Sequence, residues 1–237
     1  MSSYLYKISL VLLLLLTLLG CQKGQKSQKG EIPSSVQSAI DGTSYLLSDE
    51  VRDTLAYMGN EERLAHDIYN RLYETYPIQQ FTTIAYQAER NHIDVVQQLV
   101  QKYQLDDTTV FSNVDLAPLG YRDTSLSDME AGVYDISEIQ ALYDTLLESG
   151  LTSRVEALKV GCSVEVKDVT DLDGYIERAY NEGNYDIWEV YSYLRDGSYN
   201  HYWAFSDGLI SEGIEEGCCY WSTLCHREYP QNSRKGS

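Results

Sequence analysis

The chain has 237 residues, 36 acidic against 18 basic, and a formal net charge of −18 at neutral pH. A surface of that sign repels phosphate backbones, which argues against a nucleic-acid partner. Once the N-terminal segment is set aside, roughly 190 residues remain, enough for one domain with a proper core.

The apolar stretch from Ile8 to Leu19 follows a short n-region carrying Lys7. It is too short to span a bilayer and has the length of a signal-peptide core, so residues 1–20 read as an export signal. The stretch closes on Leu18-Leu19-Gly20-Cys21, which resembles the lipobox of bacterial lipoproteins. That resemblance implies cleavage before Cys21, acylation of its thiol and amine with fatty chains such as palmitate, and a membrane-anchored position. The location is then the bacterial cell envelope outside the cytoplasm, on the periplasmic side or at the outer membrane. An uncleaved N-terminal anchor is the alternative. Residues 21–46 are rich in Gln, Lys, Ser and Gly and read as a flexible tether.

Residues 47–215 read as all-α. Four segments carry apolar residues at steps of three and four, the signature of helices presenting one face to a bundle core. The first, about 48–76, shows Leu55, Met58, Glu62, Ala65, Tyr69, Leu72 and Tyr76 on its seam. The second, about 79–103, shows Phe81, Ala85, Ala88, His92, Val95 and Leu99. The third, about 152–180, shows Val155, Leu158, Cys162, Glu165, Val169, Leu172, Ile176 and Ala179. The fourth, about 185–212, shows Ile187, Tyr191, Leu194, Ser198, His201 and Phe205.

Short links through Pro77 and through Asn181–Asn184 make two antiparallel hairpins. A long crossover, 104–151, joins them and holds a short helix from Ser137 to about Glu148, with Ser137 and Gln140 as a capping-box start. Two hairpins joined by one long crossover is the ferritin-like form of the four-helix bundle.

Each seam is broken near mid-helix by a polar residue: Glu62, His92, Glu165 and His201. Glu89, one turn before His92, can face the same way. A carboxylate facing a bundle core is costly unless it is paired, protonated or bound to metal. Several from four helices at similar depth would converge, and carboxylate oxygens with imidazole nitrogens suit divalent iron or manganese. Bundle di-metal sites draw a Glu from each of two helices and a Glu-x-x-His from each of the other two. Here Ser198 stands where the second such Glu belongs. Asp168, one turn after Glu165, is an additional candidate oxygen donor. Tyr69 reads either as a hydrogen-bond donor to a ligand carboxylate or as a core tyrosine with its hydroxyl satisfied elsewhere. His66 lies off the seam and reads as a surface residue or a neighbour of the site. A mutually hydrogen-bonded Glu–His network without metal is the other reading of the cluster.

Glu62-x-x-Ala65-x-x-x-Tyr69 with Glu89-x-x-His92 resembles rubrerythrin-type ferritin-like proteins. Four stretches resemble domain-of-unknown-function family 2202 of the ferritin-like superfamily more closely. They are Glu61 through Tyr69, Leu142-Tyr143-Asp144, Glu156 through Gly161, and Ser198-Tyr199-Asn200-His201. The resemblance covers about residues 48–212 and implies a ferritin-like bundle with a di-iron centre, but assigns no reaction.

Three readings of function follow. One is a di-iron or mixed-metal oxidoreductase acting on oxygen or peroxide, or oxidising ferrous iron. The second is non-catalytic iron handling at the envelope, and the third a metal-free helical interaction module. The Cys-rich tail, 216–237, lacks the paired Cys-x-x-Cys knuckles of a rubredoxin-type electron donor. An exported setting favours disulfides, with Cys225 bridging Cys218 or Cys219. Cys162 reads first as an inert buried thiol, then as a tail partner or a metal neighbour. Cys225-His226 lacks the second spaced pair that a zinc site requires.

Overall fold

The computed structural model describes residues 31–105 and 126–231. The export signal and Cys21 therefore lie outside the described residues, as does the Asp/Thr-rich part of the crossover.

Helix α1 (Ser34–Asp41) is followed by α2 (Asp49–Thr75). Next come α3 (Gln79–Ile84), a π-helical turn (Ala85–Glu89) and α4 (Arg90–Lys102), continuous with one another. Helix α5 (Ser137–Gly150) ends the crossover, and α6 (Arg154–Asn181) and α7 (Tyr185–Ser211) form the second hairpin. No strand occurs among the described residues. Helices α2 and α6 start where side chains satisfy free backbone donors: Ser48 accepts from Val51 N–H and Ser153 from Glu156 N–H. Between α6 and α7 the chain reverses at Gly183, whose φ of +78° only a residue without Cβ adopts at no cost.

Three expectations need correction. The segment read as a tether contains α1, because Val36 and Ile40 are apolar residues that bury against α4 and α7. Lys102 Nζ caps that junction by donating to the carbonyls of Ala39 and Thr43 and to Asp186. Ser137 does not cap α5; the N-cap is Ile136, and the Gln140 side chain instead bonds Tyr134 N–H and the Gly132 carbonyl. Cys162 is not a free thiol: it is bonded to Cys218, while Cys219 is bonded to Cys225. Cys225 is thereby removed as a zinc ligand, and the tail packs on α6 and α7 as part of the folded body.

The crossover is held down from α2 by residues on the side facing away from the bundle axis. Asp67 Oδ2 accepts from Gly132 N–H and Tyr134 O–H, both at 3.0 Å, and Asp67 Oδ1 lies 2.9 Å from His66 Nδ1. Arg63 donates to the carbonyls of Glu130 and Val133. His66 is thus a buried part of this clamp rather than a surface residue. Asp67→Ala leaves two donors without an acceptor and is expected to cost about 1–3 kcal/mol, read as a lower denaturant midpoint at unchanged slope. An unchanged midpoint would show that the crossover is held by other contacts.

The core is divided. One apolar cluster contains Tyr69, Phe81, Leu158 and Phe205, and a second contains Leu55, Leu99, Leu172 and Leu194. On α2, on the α3–α4 rod and on α7 the polar seam positions fall between the two; on α6 Glu165 and Asp168 sit near the inner end of the first cluster, just before Val169.

Candidate metal centre

The layer between the clusters is built by adjacent turns of four rods. Helix α2 contributes Glu62, the π-helical turn Glu89, α4 His92, α6 Glu165 and Asp168, and α7 Ser198 and His201. All seven are buried. A π turn adds a residue to the helical cycle, so it changes which residues of the rod face inward. Glu89 is its last residue and His92 sits three further on, so both reach the axis.

Glu89 divides its two oxygens between the histidines. Its Oε2 is 3.2 Å from His92 Nδ1 and its Oε1 is 3.1 Å from His201 Nδ1. Glu62 Oε2 lies 3.0 Å from the same His92 nitrogen, and Glu165 Oε2 lies 3.5 Å from that of His201. Two groups able to hold a metal ion result, Glu62–Glu89–His92 and Glu89–Glu165–His201, with Glu89 common to both. The imidazole rings stand 5.5 Å apart. Tyr69 O–H donates to Glu165 Oε1 at 2.5 Å. Asp168 is not in either group; Ser198 Oγ donates to its Oδ2 at 3.0 Å and to the Leu194 carbonyl. Ser198 therefore steadies a carboxylate supplied by α6, beside the position where a carboxylate of its own would have stood.

The electrostatics follow from burial. Desolvation, then the charges of Asp168, Glu89 and Glu165, push Glu62 well above the ordinary carboxylate range. Burial, with Glu165 and Glu89 nearby, pushes Asp168 up to about 8. Burial also raises Glu165, against the opposing pull of His201. On Glu89 burial is outweighed by His201 and His92, which hold it below the usual range. Burial works against the charged imidazoles too, yet Glu89 brings His92 up to about 9, and Glu165 with Glu89 bring His201 up to about 10. These carboxylates ionise together only if positive charge is brought among them.

Two atoms bear on whether the set fits a metal. Glu62 Oε1 and His201 Nδ1 are buried without a hydrogen bond. The histidine nitrogen is close to two carboxylates but aligned with neither. Buried polar atoms are ordinarily paired, so both point to a missing partner that accepts lone pairs. A cation fits that description and the O/N donor set alike.

Several contributors were not visible in the seam pattern. An added Cβ at Gly197 would lie 2.5 Å from His92 Nε2, so α7 must be bare there for the ring to fit. Tyr193 meets the same ring edge-on. Glu61 and Lys167, sequence neighbours of Glu62 and Asp168, form an ion pair between α2 and α6. A glycine four residues before His201 was the one sequence signal for any of these, and it gains meaning only beside His92.

Fold and site together define the class: an all-helical bundle protein with a buried carboxylate–imidazole centre able to hold metal. The chain belongs to the DUF2202 family, described as an uncharacterized protein domain, whose model matches residues 51–229. It is 35% identical over 167 residues to the uncharacterized protein MJ0754 of Methanocaldococcus jannaschii, covering 70% of this chain and 79% of that one. The crystal structure of hypothetical protein MJ0754 matches with a TM-score of 0.59 and 34% identity, over 73% of this chain and 86% of the other.

Proposed function

We propose that the polar layer is the di-metal centre of a ferritin-like protein, holding iron, with manganese as the alternative occupant, and that the chain is an oxidoreductase acting on dioxygen or peroxide, or oxidising ferrous iron. The observation that carries this reading is the division of Glu89 between His92 and His201, which makes two metal-binding groups sharing one carboxylate. Glu62, Glu89 and His92 would hold one ion, and Glu89, Glu165 and His201 the other. Asp168 adds a fourth carboxylate, so four negative charges match two dications. When bound, a pair of redox-active ions would supply electrons to an oxidant such as dioxygen or peroxide and regain them from a reductant such as ferrous iron.

The chain's own residues prepare the place. Tyr69 holds Glu165 in one orientation through a short hydrogen bond, and Ser198 does the same for Asp168. The apolar clusters on either side keep bulk water from the layer. Upstream, the proposed acyl anchor at Cys21 keeps the domain at the envelope membrane. Cys21→Ser should then move the protein from the membrane to the soluble fraction.

The test is to load the full chain aerobically with ferrous iron and measure iron per chain together with oxygen consumed. About two irons with oxygen uptake supports the oxidoreductase. Two irons without turnover supports metal handling, and no iron in a folded chain leaves a structural Glu–His network. The pH dependence has a definite sign. In the metal-free chain both imidazoles are protonated at pH 7, since they titrate at about 9 and about 10. A metal must displace those protons, so uptake should release protons into a weakly buffered solution, and apparent affinity should rise with pH through the neutral range. Affinity that is flat from pH 6 to 8 would remove the histidines from the ligand set.

A further inference from the structure

Between α2, α5 and α6 lies an open cleft of about 400 Å³, whose lining includes Lys167, the sequence neighbour of Asp168. Four carboxylates, Glu50, Asp53, Glu138 and Asp171, line it against Lys167 and Arg178. Residues one apart on a helix point about 100° apart. Helix α2 thus turns Glu62 to the bundle axis and Glu61 toward the cleft, and α6 does the same with Asp168 and Lys167. The layer separating the cleft from the centre is therefore the pair Glu61 and Lys167.

That layer is held by one ammonium group. Lys167 Nζ donates to Glu61 Oε1 at 2.8 Å, to Tyr57 Oη at 3.1 Å and to Asp171. Its side chain is 37% exposed, so its flexible stem has room to withdraw into solvent, whereas that of Glu61 is only 4% exposed. The second oxygen of Glu61, Oε2, is buried and has no hydrogen-bond partner. Glu61 adjoins Glu62 on α2 and is paired to Lys167, which adjoins Asp168 on α6, so the pair stands next to the inner carboxylates. A built-in cation thus bridges an outer and an inner carboxylate, Asp171 and Glu61, with the orphaned oxygen beside it. The two ends of the bundle axis are closed by the apolar clusters.

We propose that this cleft is the route by which divalent cations reach the Glu/His centre. Lys167 is a displaceable plug, and Glu61 is the carboxylate that passes the ion from Asp171 to Asp168. The inference rests on the metal-centre reading above. An arriving dication takes the place of the ammonium group on Asp171 and Glu61, gains the unpaired Oε2, and moves inward as Lys167 swings out. No covalent bond changes in this step: three Lys167 hydrogen bonds give way to carboxylate–cation contacts, and the strongly acidic chain draws cations toward the opening.

The experiment mixes the full chain with Co²⁺ in a stopped-flow spectrometer, reading both the rate of uptake from visible absorbance and the final Co²⁺ per chain. A Glu61→Gln, Asp171→Asn double variant should load about tenfold or more slowly, since clefts of one charge sign raise on-rates by roughly that order. Lys167→Met, which keeps the length of the stem and removes the charge, should load faster. All should reach the parent's end point. Glu148→Gln, exposed at the far end of α5, should load at the parental rate. Parental rates in the double variant and in Lys167→Met overturn the proposal and move the route to the α7 face near His201. So does equal slowing by Glu148→Gln, which would make net charge the cause. A reduced end point in the double variant would make Glu61 or Asp171 a ligand and not a conduit. A parent chain that binds no Co²⁺ fails the metal-centre reading itself, and this inference with it.

Discussion

Glu89→Ala is expected to abolish binding of both metal ions, whereas Glu165→Ala is expected to abolish only one. The difference follows from geometry: Glu165 faces His201 alone, while Glu89 faces both histidines through separate oxygens. The metal-free chain should suffer as well. Against the effect of burial, Glu89 is the main group raising the proton affinity of His92, and it adds to Glu165 in raising that of His201. Removing one member of a buried ion pair typically costs about 3–5 kcal/mol, because the other charge is left without compensation. Metal per chain and the denaturant midpoint, measured on the same preparations, check both parts. A Glu89→Ala chain that retains two metals would show that the shared carboxylate is not a ligand. One that loses metal with an unchanged midpoint would show that the histidines are neutral before loading.

Gly197→Ala should remove the metal proposed at Glu62, Glu89 and His92 while sparing the one proposed at Glu89, Glu165 and His201. A methyl group there would stand 2.5 Å from His92 Nε2 and 2.6 Å from Cε1, distances that real side chains do not tolerate. The ring cannot slide away easily. Its opposite nitrogen is engaged by Glu62 and Glu89, and Tyr193 stands against its edge. Overpacking of this kind costs about 1–3 kcal/mol, and here the displaced group is a proposed ligand. Gly174→Ala is the control, since an added Cβ on that turn of α6 meets nothing within 4 Å. It should gain up to about 1 kcal/mol from helix propensity and leave metal content unchanged. If Gly197→Ala binds two metals with parental affinity, His92 is not held in place by α7.

Much of the bundle was legible without coordinates, because helix periodicity is a local property. Steps of three and four put the long helices close to where they lie, and polar breaks in the apolar stripes picked out Glu62, His92, Glu165 and His201 at one depth. The heptad-like pattern could show that these residues face inward, since orientation repeats with the turn. It could not show which oxygen meets which nitrogen. The sharing of Glu89 depends on the relative rotation and height of α4, α6 and α7, and on a π-helical turn with no sequence mark of its own.

The same limit explains the corrections. Cys162 joined Cys218 because the tail folds back across 56 residues of sequence, a proximity no local spacing encodes. Helix α1 was hidden in a polar segment, because two buried apolar residues, Val36 and Ile40, suffice to dock it once α4 and α7 offer a groove. Asp67 and Arg63 look like ordinary charges of an amphipathic helix until the crossover is laid over them. The 3.6-residue period alone sets which residues turn inward on each helix. Which of them meet is fixed by how the helices pack, because contacts between helices depend on distances that side-chain size and burial set across the whole chain.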